Sequence, residues 1–190
     1  MGFPFYGSLV LLGLTMGAQL WRRSLLVLIL KFLVLFVVVF VLGNAIYLAA
    51  LQYEVWNGNE LTKGFLPPHQ SIWYFITYVT ARYAGAPLLA LSAMLLFWIS
   101  ARILNRRFGK RFFEDEEPLL FGLGAFLTGY PGFFFYLALL LCGALFISIY
   151  YTVAKKGRAP LYYLWLPSAI LAILMVHFVV PRDILAQFNL

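Results

Sequence analysis

Charge is scarce in this sequence. Only 11% of its 190 residues are Asp, Glu, Lys or Arg, where a soluble domain carries about 25%. That shortage excludes an ordinary solvated surface. Cysteine is nearly absent as well: Cys142 stands alone, which rules out an internal disulfide and a cysteine-built metal cluster. It sits in an apolar run and is expected to pack as a small hydrophobe. Histidine offers no metal-ligand spacing around His69. No Gly-x-Ser-x-Gly, His-Glu-x-x-His or phosphate-cradling glycine loop occurs, so no cofactor is expected. The apolar stretch at the N-terminus has no basic segment before it, which argues against a cleaved signal peptide. Tyr6 occupies the position where myristoylation wants Ser or Thr.

What is present is hydrocarbon. Hydrophobic residues make up 64% of the chain, against about 45–50% in soluble domains. Leu25 to Leu51 is a run dominated by Leu, Val, Phe and Ile in which Lys31 is the only charge. About twenty such residues at ~1.5 Å each already cross a ~30 Å hydrocarbon layer. The expected fold is an all-α polytopic bundle in a single membrane domain. It has about six crossings, near residues 5–20, 25–51, 85–103, 118–130, 133–153 and 161–180. The fourth, at ~20 Å, is short enough to be re-entrant. Gly129-Tyr130-Pro131-Gly132 reads as a sharp turn into the fifth. The Trp- and Tyr-rich segment 71–83 is expected either to lie flat at the interface or to extend the third span, with Gly85-Ala86-Pro87 breaking or restarting the helix.

The net charge of +7 is assigned to basic loops facing anionic lipid, not to nucleic acid. Arg22 and Arg23, then Arg102, Arg106, Arg107, Lys110 and Arg111, then Lys155, Lys156 and Arg158 fall in three loops. Six crossings put all three loops on one side. The positive-inside bias then sets both termini outside, and a bacterial plasma membrane is the expected setting. Lys31, about two turns into its span, is expected to snorkel to the headgroups.

One polar cluster is dense enough to consider for chemistry: Glu114, Asp115, Glu116 and Glu117. Four carboxylates could hold a divalent cation. Consecutive helical positions point about 100° apart, however, and the simpler reading is a solvated run favoured by the start of a helix. Gly122 and Gly124, like Cys142-Gly143-Ala144, read as small residues permitting close helix contact.

The C-terminal half, about Leu104 to Leu174, resembles the membrane domain of type IV prepilin peptidases. The resemblance rests on Arg106-Arg107-Phe108-Gly109-Lys110, Leu123-Gly124-Ala125-Phe126-Leu127, Tyr130-Pro131-Gly132, Lys155-Lys156-Gly157-Arg158 and Pro160, in that order. It implies a six-span aspartic peptidase with two catalytic aspartates. Glu116 lies where the second would fall, within Glu114-Asp115-Glu116 in place of Gly-x-Gly-Asp. Gln19-Leu20-Trp21-Arg22-Arg23 has no carboxylate where the first should be. Such an enzyme needs two carboxyls sharing one site, so this chain is expected to be inactive as that peptidase. The favoured expectation is a non-catalytic scaffold or subunit whose partners are the bilayer and other membrane proteins. The alternatives are a divergent aspartic peptidase using Glu116, and a small transporter or lipid-handling protein with a cavity lined by Lys31, Asn44 and Tyr47.

Overall fold

In lipid a backbone amide has no water to turn to, so apolar runs of this length have one economical solution, the helix. The computed structural model describes residues 5–21, 23–109, 113–155 and 161–181, and among these the regular structure is entirely helical. The stretches Leu26–Gly58, Ile72–Arg107, Glu117–Val153 and Leu161–Phe178 are each long and apolar enough to cross a membrane, and Phe5–Leu20 is a shorter apolar helix. The chain is an integral membrane protein built as a helical bundle.

Helix α1 (Phe5–Trp21) buries Ser8, Leu12, Thr15 and Gln19, a single stripe at helical spacing. The polar members tie the helix at both ends. Ser8 donates to the Leu127 carbonyl at 3.1 Å, and Gln19 Nε2 donates to the Tyr162 carbonyl at 3.1 Å. Helix α2 (Arg23–Gly58) turns Leu26, Leu30, Val34 and Val37 into the same core, while Lys31 points outward.

The 36 residues of α2 give a rod of about 54 Å, longer than the ~40–45 Å of a whole bilayer with its headgroups. Its far end is paired. After α3 (Glu60–Lys63), α4 (Ile72–Val79) runs back along it, capped by Ser71, whose hydroxyl accepts from Trp73 N–H. Trp56, Leu66, Phe75 and Val79 form a second small core there, and Tyr83 donates to Gln52 Oε1 at 2.7 Å. Segment 71–83 therefore continues into the third span, and Ile72–Arg107 is one helical run long and apolar enough to cross a membrane. The segment joins α5 (Gly85–Arg107) through a π-helical turn, Thr80–Ala84. Pro87 accounts for the turn: it has no N–H for the carbonyl four residues back, and one wider turn accommodates the break without ending the helix.

Helix α6 (Glu117–Val153) contains a reversal. Gly129 (φ 60°, ψ −175°) and Tyr130 (φ −92°, ψ 136°) leave helical geometry. Phe121 and Tyr136 are fifteen residues apart, yet their rings lie 5.9 Å apart, where a straight helix would separate them by ~22 Å. The run is a helical hairpin with arms 117–128 and 131–153. Gly124 lets the arms touch, since a Cβ there would sit 2.7 Å from the Tyr136 ring. A Cβ at Gly122 would collide with Met94 of α5. The first arm is ~18 Å long, and residues 117–127 are buried except for the half-buried Leu119. This is the condition under which a short membrane segment is tolerated: protein covers it on all sides.

A 3-10 turn (Leu161–Leu164) leads into α7 (Trp165–Phe178), which runs antiparallel to the second arm. Leu164 lies against Gly143, and Val176 against Gly132. Phe5 stacks on His177 at 4.0 Å. One end of the bundle thus gathers Phe5, the hairpin turn and His177. The opposite end gathers Gln19, Tyr162, Asn105 and Glu117. Cys142 does not pack inside; it is exposed on the second arm, beside the exposed Leu141, Leu145 and Phe146. A lipid-facing helix surface has no need of protein cover, because the acyl chains are as apolar as the side chains.

Candidate functional site

The sequence candidates collect at the end of the bundle where α5 stops and α6 starts. Asn105, in the last turn of α5, closes a two-point clasp on the returning chain. Its Nδ2 donates to the Phe113 carbonyl at 2.7 Å, and its Oδ1 accepts from Phe113 N–H at 3.0 Å. Sequence reasoning passed over Asn105; the signal was an amide at the end of an apolar helix, directly before two arginines. Arg106 and Arg107 lie exposed in that same last turn, where positive charge complements the helix dipole.

The acidic run does not converge. Glu114 and Asp115 are exposed, Glu116 is half-buried at the N-cap of α6, and Glu117 is buried in its first turn. Glu117 Oε2 accepts from Glu114 N–H at 3.1 Å, so this carboxylate organises the helix start. Among the described residues no group of three or more His, Cys, Asp or Glu is placed to hold a metal. Lys155 lies exposed just beyond the second arm, and Arg102 sits 3.7 Å over the Trp98 ring. Arg23 opens α2. Arg22, Lys110, Arg111, Lys156, Arg158 and Pro160 lie outside the described residues.

Lys31, Asn44 and Tyr47 do not line one cavity. Lys31 and Tyr47 both point outward, and sixteen residues of helix separate them by ~24 Å. The interior space lies elsewhere. An apolar cavity of about 260 Å³, walled by Phe97, Phe113, Phe121, Leu140, Leu164 and Trp165 among others, sits directly under the Asn105 clasp. Trp165 Nε1 in its wall is buried without a hydrogen-bond partner, as is the hydroxyl of Tyr136 beneath Phe121. A second, shallower hollow of about 380 Å³ runs along Tyr74, Thr77, Tyr78, Ala81 and Arg82 on the outer extension of α4.

The first hollow presents apolar surface, and the second presents two tyrosines, the Thr77 hydroxyl and one guanidinium. They can bind. No family model matches the chain, and no curated protein or solved structure matches it.

Proposed function

We propose that this chain is a non-catalytic membrane subunit that holds other membrane proteins in an assembly. Its setting is a bacterial plasma membrane, with both termini outside and the Arg106–Arg107 and Lys155 end in the cytoplasm. The observation that carries the reading is the use made of the buried polar side chains of α1. Ser8, Thr15 and Gln19 each donate to a backbone carbonyl. Such bonds hold helices together or stay within one helix, and none of these groups is aimed at a shared reaction centre.

The partner surface is the outer extension of α2 and α4. Trp73 is 69% exposed and Tyr74 49%, and Arg82 lies on the same helical run. Exposed aromatics and arginine are the residue types that dominate interface energetics. The test is chemical crosslinking in native membranes followed by purification of the tagged chain. One or more membrane proteins should co-purify, and Trp73→Ala combined with Tyr74→Ala should reduce their recovery about tenfold while the chain itself remains folded. A wild-type chain that crosslinks to nothing would count against the reading.

A divergent prepilin-peptidase-like activity is the second reading. It is favoured by one observation: Glu116 is half-buried at the start of a covered helical hairpin. Leader cleavage of a candidate pilin, compared between membranes carrying wild type and Glu116→Gln, separates the two. The subunit reading expects no difference; loss of processing in the variant would establish the peptidase.

A further inference from the structure

The cavity under the Asn105 clasp has two properties that together specify an occupant. Its lining presents apolar surface. It also runs from the interior to the lipid-facing surface, since its wall includes Leu140, which is 7% exposed, and Leu141, which is 72% exposed. A space open sideways to hydrocarbon admits an acyl chain without passage through water. Phe113 forms part of its wall at the clasp, and the clasp sets two kinds of charge beside that point. Arg106 and Arg107 come from the end of α5, and Asp115 and Glu116 from the start of α6. Among the described residues, none of these four makes an ion pair with another. Along α5, Arg106 and Arg107 follow the cavity residue Phe97 by nine and ten positions, or about 14 Å toward the headgroup level.

We infer that this cavity is a binding site for one acyl chain of a zwitterionic phospholipid bearing a primary ammonium. The phosphate faces Arg106 and Arg107, and the ammonium faces Asp115 and Glu116. A purely anionic headgroup satisfies the arginines but meets the two carboxylates with like charge. A quaternary ammonium carries the right charge but has no N–H to donate to a carboxylate. The primary ammonium answers both requirements.

Trp165 lines the cavity and can report on it. In a variant keeping Trp165 alone, with the other four tryptophans changed to Phe, mixed micelles are titrated with brominated phosphatidylethanolamine, phosphatidylglycerol or phosphatidylcholine, and fluorescence quenching is recorded. The inference expects half-maximal quenching by the ethanolamine lipid at a concentration at least fivefold lower than for the other two. The preference should vanish in Asp115→Asn combined with Glu116→Gln, which leaves the cavity intact. Quenching by every lipid should fall in Ala144→Phe, which fills it. Should Ala144→Phe fail to elute as a monodisperse species, Leu137→Phe, two turns away on the same arm and also in the cavity wall, serves the same purpose. Equal quenching by all three lipids, or preference for phosphatidylglycerol, overturns the headgroup assignment. An unquenched Trp165 overturns the site.

Discussion

Gly124→Ala is expected to destabilise the protein by about 2–3 kcal/mol, at the upper end of what overpacking usually costs. The added Cβ would sit 2.7 Å from both Cζ and the hydroxyl of Tyr136, closer than real methyl groups approach a ring. Tyr136 is fully buried, and Phe121 stacks on its ring, so the ring has nowhere to retreat. The hairpin arms must separate instead. The check is a thermal denaturation series in detergent, followed by loss of the monodisperse peak. Tyr136→Leu alone should also destabilise, because it removes buried volume. In the Gly124→Ala background, however, it makes room for the new methyl. The double variant should therefore lose less than the two single losses added, by at least about 1 kcal/mol, as residues in contact do. Gly13→Ala supplies the control: nothing lies within 4 Å of a Cβ there, and an alanine in a helix interior is expected to be neutral or to stabilise by about 0.5–1 kcal/mol.

The second large effect is at Gly129, for a different reason. Its φ of 60° with ψ near −175° lies in a region essentially reserved for glycine, where another residue costs about 1–3 kcal/mol. Gly129→Ala should lower the melting transition by a comparable amount to Gly124→Ala, yet no substitution at Tyr136 should recover it. Strain at Gly129 belongs to the backbone, while strain at Gly124 belongs to a contact. Recovery of Gly129→Ala by Tyr136→Leu would mean that the turn is not where the chain reverses.

The sequence made the spans legible because lipid leaves the backbone no alternative to the helix. It made the reversal legible because Gly129-Tyr130-Pro131-Gly132 interrupts an otherwise unbroken apolar run. Hydropathy could not show that α2 continues to Gly58. Glu54 and Asn57 look like the start of a loop, but Trp56 between them packs into the second core with Phe75 and Val79. For the same reason segment 71–83 had two readings from composition alone: an aromatic face fits a bilayer surface as well as it fits another helix. The polar stripe of α1 and the Asn105 clasp were hidden because their partners are backbone atoms of residues up to 143 positions away, which no side-chain pattern announces. Cys142 illustrates the converse. Its apolar surroundings in the sequence suggested burial in protein, and in a membrane the same surroundings suit exposure to lipid equally well.

The account depends on residues 117–153 folding back on themselves. Single cysteines at Arg106, Lys155 and His69, placed in a Cys142→Ser background, can be labelled with a membrane-impermeant maleimide in sealed vesicles of either orientation. The hairpin predicts that positions 106 and 155 react from the same face of the membrane, with position 69 reacting from the other. Labelling of 106 and 155 from opposite faces would make 117–153 one uninterrupted crossing and would contradict the hairpin, the cavity beneath the clasp and the proposed orientation together.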